Sequence, residues 1–177
     1  MSQSKDSPAP GERLGLSAEE LLTTTRSVRR RLDLDRPVDR ATVMRCLDWA
    51  LQAPNGSNRQ RWTWVFVDEP EVKRAIANVY RRNLEHLIPT VYADASPQQI
   101  ASFESGRHLA TNLDRCPVLL VPFIDGRHDG ANAHMAASVW GSIIPAVWSL
   151  MLALREHGIG AAWTTVHLGW GGEREVA

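Results

Sequence analysis

Apolar residues along this chain recur mostly at helical spacing, and the polar residues between them mark where each helix starts and stops. Ser17 stands three residues before Glu20, with Leu21 and Leu22 behind, a capping box that opens a first helix. Thr25 to Arg31 follows as an extended or irregular piece. Asp39 is a good N-cap for a helix over Arg40–Ala53, in which Val43, Leu47, Ala50 and Leu51 form one apolar stripe. Pro54 stops that helix, because the residue before a proline is pushed out of the α region. Asn55-Gly56-Ser57-Asn58 is a loop by composition, and Trp62–Val67, rich in β-branched and aromatic residues, is a strand.

A helix then runs from Asp68-Glu69-Pro70 to about Leu87, and Pro89–Ala95 breaks the pattern. Ser96-Pro97-Gln98-Gln99 is a second capping box, opening a helix that reaches about Asp114. Val118–Ile124 is a continuous apolar run, read as a buried strand, and Asp125–Gly130 is a polar loop. From His134 to Leu154 there is no Asp, Glu, Lys or Arg. That approaches the length of a membrane span. Ser138, Gly141, Ser142, Pro145 and Ser149 interrupt it and basic clusters do not flank it, so the reading is a buried helix. Pro145 either kinks or starts it, and Gly158 ends it. Ala161–Leu168 alternates as a third strand, Gly169–Gly172 turns, and Glu173–Ala177 begins another helix. The pattern is a helix-rich α+β chain. Three strands make a thin sheet and the uncharged helix is apolar all round, so the pattern predicts a second subunit.

At 177 residues, with 44% hydrophobic and 23% charged positions, the chain has the composition of a core-forming domain. Residues 1–16, Ser/Pro-rich and without an apolar core, read as a disordered lead-in rather than a signal peptide, and 17–177 as one domain. Twenty basic residues balance twenty acidic ones, which removes the electrostatic argument for a nucleic-acid partner. All but Lys5 and Lys73 of the basic residues are arginines, planar forks suited to phosphate or carboxylate. Cys46 and Cys116, far apart, read as reduced buried thiols, and the chain as cytoplasmic.

Three segments carry candidate chemistry. In Arg26-Ser27-Val28-Arg29, two guanidinium forks around a hydroxyl can converge on one phosphate; a solvated basic stretch is the alternative, and Arg30 and Arg31 next door favour it. In Pro54-Asn55-Gly56-Ser57-Asn58-Arg59-Gln60-Arg61-Trp62, glycine admits close backbone approach, and Asn58 and Gln60 offer donors and acceptors to the edge of a planar ligand; a turn with Asx hydrogen bonds is the commoner explanation of such a string in isolation. In Gly158-Ile159-Gly160-Ala161-Ala162-Trp163, small residues bring backbone N–H groups within reach of a ligand, or simply cap a helix. The six histidines show no metal spacing, and no GxSxG elbow or Walker loop is present.

Taken together, in this order, the three segments resemble the nitroreductase family of flavin enzymes. Members carry R-S-x-R after the first helix, a P-[SN]-x-x-N-x-Q-P-W loop after the second, and G-[IL]-G-x-x-W after a long central helix. The resemblance covers about Glu19 to Ala177. It implies a nitroreductase-like α+β fold with a central antiparallel or mixed sheet flanked by helices. It places the long helix at an intertwined homodimer interface, with FMN bound there. By carry-over, Arg26, Ser27 and Arg29 would hold the flavin phosphate and ribityl end. Pro54, Asn55, Gly56, Asn58 and Gln60 would surround the ring, and the backbone of Ile159 and Gly160 would approach it.

The implied activity is transfer of a hydride from NAD(P)H through FMN to a small electron acceptor, a nitroaromatic or quinone, by ping-pong turnover. The flavin carries the chemistry, so no side chain is named as catalytic and no metal is expected. The resemblance implies neither a nucleic-acid nor a membrane partner. Specialised members fragment flavin or dehalogenate, and a non-catalytic flavin-binding dimer is a further alternative. Thr25 replaces an arginine common in the family, Arg61 the proline before Trp62, and Trp148-Ser149 a polar pair on the long helix. The family's last strand segment, which completes the partner's sheet, is expected to be missing after Ala177.

Overall fold

A computed structural model describes residues 12–91, 94–126, 128 and 132–177. In chain order its elements are α1 (Ala18–Thr24), α2 (Arg40–Ala50), β1 (Trp62–Val67), α3 (Pro70–Val91), α4 (Pro97–Asn112), β2 (Leu119–Ile124), α5 (Ala133–Glu156) and α6 (Gly172–Val176). The class is α+β. The chain divides into two compact units. One comprises residues up to Arg26, Val38–Val65 and Leu120–Ala161; the other comprises Ser27–Pro37, Phe66–Leu119 and Ala162–Ala177.

The first unit is built on α5. Asn132 caps it through the Met135 amide at 2.9 Å. Pro145 lies in its interior, where the missing N–H frees the Gly141 carbonyl rather than starting a new helix. Its end is a Schellman motif: Gly158 adopts φ +68°, its N–H donates to the Arg155 carbonyl, and the Ile159 N–H donates to that of Leu154. α2 is capped by Asp39 through the Ala41 and Thr42 amides, and its buried side chains Val43, Cys46, Leu47 and Ala50 face α5. It stops at Ala50; Gln52 and Ala53 close a tight turn instead of extending the helix to Ala53 as the apolar stripe suggests. Strands β1 and β2 form a two-stranded antiparallel ladder. Trp62 and Trp64 pack with Ile124 on Ile143, Val147 and Met151 of α5.

Residues 12–16 of this unit are held in place; the rest of the predicted lead-in lies outside the described residues. The Glu156 carboxylate, at the last turn of α5, accepts from the backbone N–H of Gly15 and Leu16 at 3.0 Å each and from Arg13 Nε at 3.2 Å. The Leu14 N–H donates to the Glu156 carbonyl at 2.7 Å. His157 Nδ1 lies 3.1 Å from the Glu12 carbonyl, and its ring stacks on Trp49, over which the Arg13 guanidinium also sits. Ser17 and Glu20 form the predicted capping box of α1.

In the second unit, α3 and α4 pack through Ala77, Tyr80, Leu84, Leu109, Ala110 and Leu113. The Ser96–Gln99 capping box opens α4 as predicted. Helix α3 runs through Pro89 to Val91, past the predicted break. A proline in the last turn removes one N–H without ending the helix. The predicted third strand is absent: among the described residues, 161–165 pair with no strand and Val166–Gly171 coil into a 3₁₀ turn. Asn83, fully buried, explains the difference. Its Nδ2 donates to the carbonyls of Val166, His167 and Gly169 at 3.1, 3.2 and 2.7 Å, so those acceptors are turned inward, away from any ladder. The helix expected at 173–177 is α6.

Helix α5 also departs from the expectation of burial all round. Trp140, Ile144 and Trp148, spaced by one turn each, remain 48%, 38% and 40% exposed. A helix of this length and composition is apolar enough to cross a membrane by those criteria alone, yet its other face is occupied by α2 and β1.

Candidate functional site

The loop between α2 and β1 has the most unusual backbone in the first unit. Ser57, Asn58 and Gln60 take φ of +58°, +52° and +34°; among the described non-glycine residues only Trp170 shares that region. Each such residue costs of order 1 kcal/mol or more, so the loop persists only because its surroundings impose it. Two anchors do so. At the back, Gln60 Nε2 donates to the Leu51 carbonyl at 2.6 Å, and the Gln60 N–H reaches Asn55 Oδ1 at 3.3 Å. At the front, the Gly56 N–H donates to Ser142 Oγ on α5 at 2.8 Å. A Cβ on Gly56 would run into Ser138 Oγ, so the loop backbone lies directly on the helix.

Roles among the predicted loop residues therefore differ. Asn55 and Gln60 support the loop from within, and Gly56 permits the close approach. Pro54 is exposed, and the Asn58 side chain is exposed with no hydrogen bond among the described residues. Its amide is the one predicted ring contact left with both donor and acceptor uncommitted.

Arg26 is also in the first unit, exposed, with one Nη1 bond to the carbonyl of Thr25 at 2.7 Å. Ile159 is half-buried and Gly160 exposed just past the α5 cap. No hydrogen bond among the described residues joins either of them, or Arg26, to the loop. Ser27 and Arg29 belong to the second unit. Ser27 is exposed, and Arg29 Nη1 donates to Ser105 Oγ of α4 at 3.2 Å. Neither Arg26 nor Arg29 has an acidic partner among the described residues, so most of their N–H donors are left for an anion.

Neither cysteine is poised for covalent chemistry. Burial pushes the Cys46 thiol up to about 11, and also raises that of Cys116, so neither is a ready thiolate. No group of His, Cys, Asp and Glu that could hold a metal occurs among the described residues. Within the first unit, the chemistry of the donors present, an exposed Arg26 fork, the Asn58 amide and a glycine-permitted backbone approach at Gly56, suits a group that carries an anion and a polar-edged plane. Sequence reasoning missed Ser142, Ser138 and Ser105. The only signal for the first two was their spacing, i and i+4, on an otherwise apolar helix.

The chain is similar to several known proteins. 5,6-Dimethylbenzimidazole synthase of Rhodospirillum rubrum is 30% identical over 134 residues, covering 73% of this chain and 61% of its own length, so the chain spans about three-fifths of that curated relative. A point variant of the FMN and NADPH-dependent nitroreductase NfnB from Sphigopyxis sp. strain HMH superposes with a TM-score of 0.63 at 25% identity, over 91% of this chain and 80% of its own. Oxidized iodotyrosine deiodinase, bound to FMN and 3-iodo-L-tyrosine, shares the fold with a TM-score of 0.66 at 23% identity, over 89% and 77% of the two chains. The sequence pattern of the nitroreductase family matches residues 22–175, and the chain belongs to that family.

Proposed function

We propose that the protein is an FMN-dependent oxidoreductase, homodimeric and cytoplasmic, whose nitroreductase-like domain spans residues 17–177. The observation that carries this reading is the strained 54–60 loop: its backbone is fixed on α5, and its Asn58 amide is uncommitted.

Arg26, Ser27 and Arg29 would hold the FMN phosphate and ribityl end through charge-assisted hydrogen bonds. Asn58 would hydrogen-bond the polar edge of the ring. Pro54 and Gly56 would line it without bulk, with Asn55 and Gln60 keeping the loop in shape. The backbone at Ile159 and Gly160, held at a defined angle by the Schellman motif, would approach the ring. FMN, when bound, would supply the hydride chemistry between NAD(P)H and a small acceptor such as a nitroaromatic or quinone. The chain's own contribution would be placement, with donor and acceptor taking the same position in turn in a ping-pong cycle. The exposed stripe Trp140, Ile144 and Trp148 supports a second copy of the chain against α5.

Purified protein tests this directly. It should take up FMN with flavin absorbance, and the complex should oxidise NADH or NADPH with a quinone or nitroaromatic. A colourless protein that takes up no added FMN overturns the reading. A second reading has its own support in the similarity to a 5,6-dimethylbenzimidazole synthase: reduced FMN would be fragmented in the presence of oxygen. Product analysis after that incubation separates a fragmented flavin from a simply reoxidised one.

A further inference from the structure

Ser142 is a buried hydroxyl on α5, next to Ile143 and one turn before Ala146, both buried in the apolar core. Its proton is committed: Oγ donates to the Ser138 carbonyl one turn earlier at 2.6 Å. Its lone pair is therefore the group that faces the loop, and it accepts the Gly56 N–H at 2.8 Å. Donating and accepting at once, the hydroxyl forms a short chain in which each bond polarises the next. Gly56 lies so close to this seat that an added Cβ would run into Ser138 Oγ and stand 3.5 Å from Ser142 Oγ. Immediately after Gly56 the backbone turns into the left-handed region at Ser57 and Asn58. The strained stretch is thus gripped at Gly56 from α5 and at Gln60 from the Leu51 carbonyl.

We propose that Ser142 is a positioning residue that holds the 54–60 loop in its left-handed conformation and thereby sets the affinity for flavin. The proposal rests on the reading of that loop as the FMN loop. Ser142 acts through Gly56, whose seating aims the Asn58 amide, and it does not itself touch the ligand. Removing the hydroxyl leaves the Gly56 amide without its acceptor beneath the helix and loosens the loop from one end.

Three proteins decide it: wild type, Ser142→Ala and Ser142→Thr. A helical threonine bonds the carbonyl one turn back through Oγ1, so Ser142→Thr keeps the hydroxyl where Ser142 has it. Amide exchange of the apo-proteins reads the loop, and FMN titration followed by quenching of flavin fluorescence reads the affinity. In Ser142→Ala, exchange across 54–60 should accelerate about tenfold while α2 and the rest of α5 keep wild-type protection. The FMN dissociation constant should rise about 5- to 30-fold, the size expected for one orphaned hydrogen-bond donor. Ser142→Thr should stay within about twofold of wild type on both measures. The assignment is overturned if Ser142→Ala matches wild type in loop exchange and FMN affinity. It is equally overturned if both variants lose protection throughout α5, which would make Ser142 a packing residue only. Wild-type protein that takes up no FMN sinks the functional reading and with it the affinity half of the proposal. The exchange measurement, made without flavin, still decides whether Ser142 holds the loop.

Discussion

Glu156 gives the sharpest test of how residues 12–16 are bound. Its side chain is 4% exposed and carries its carboxylate at the C-terminal end of α5, where the helix dipole disfavours negative charge by about 0.3–1 kcal/mol. What offsets this is the strap: two backbone N–H donors at 3.0 Å, each contributing about 1.5 kcal/mol as a bond to a charged group. Arg13 adds less than about 1 kcal/mol, since its side chain is 65% exposed. Glu156→Gln keeps the shape, retains one acceptor oxygen and sets an NH₂ against one of the strap's N–H groups. It should therefore cost about 2 kcal/mol, read by urea unfolding with tryptophan fluorescence. In a chain starting at Ser17 the donors are gone, and the same substitution should be neutral or stabilising by about 0.5 kcal/mol, because only the dipole and burial penalties remain. The double-mutant cycle thus predicts a coupling of about 2 kcal/mol with a reversal in sign. An equal cost in both backgrounds would refute the claim that the strap is what compensates Glu156.

Other outcomes follow from the same kind of argument. Gly172→Ala should destabilise the second unit by about 1–3 kcal/mol, because its Cβ would run into the His167 carbonyl and lie 2.7 Å from both Asn83 Nδ2 and Val79 Cγ1; C-terminal amide exchange would show it. Burial lowers the His167 pKa below its usual 6.5, so folding favours the neutral ring. That contribution is complete above pH 6.5 and is lost as the pH falls below it, since the unfolded chain binds the proton first. The drop in urea midpoint between pH 7.5 and 5.5 should be smaller in His167→Asn; an unchanged drop would count against it. Cys46, with its thiol pushed up to about 11, should resist a maleimide at pH 8 until the protein is unfolded. Trp148→Glu should shift the proposed dimer toward monomer in sedimentation, since it places a charge at one end of the exposed α5 stripe.

What was legible in the sequence was what is settled within a few residues. Both capping boxes and the Asp39 cap close within three positions, and each appears where its spacing placed it. The Gly158 terminus likewise depends only on the last turn of α5 and the two residues after it. The errors come from partners far along the chain. Ala161–Leu168 alternates like a strand, but Asn83, more than 80 positions from Val166, takes the carbonyls of Val166 and His167 that a ladder would need, and that of Gly169 just beyond. The predicted site divides along the same line. Its residue types could be matched to a family pattern one by one, yet their division of labour could not. Asn55, Asn58 and Gln60 have the same hydrogen-bonding capacity on paper, yet Asn55 and Gln60 bond within the loop and to the Leu51 carbonyl to shape it, while Asn58 is left free. The group that seats the loop, Ser142, lies 86 positions from Gly56 in a helix whose serines read only as interruptions of an apolar run. A hydroxyl there is conspicuous once α5 is known to be the floor of the loop. An apolar face in contact with a strained backbone needs one acceptor for the nearest N–H, and serine supplies it with the smallest side chain, its own proton already committed to the helix.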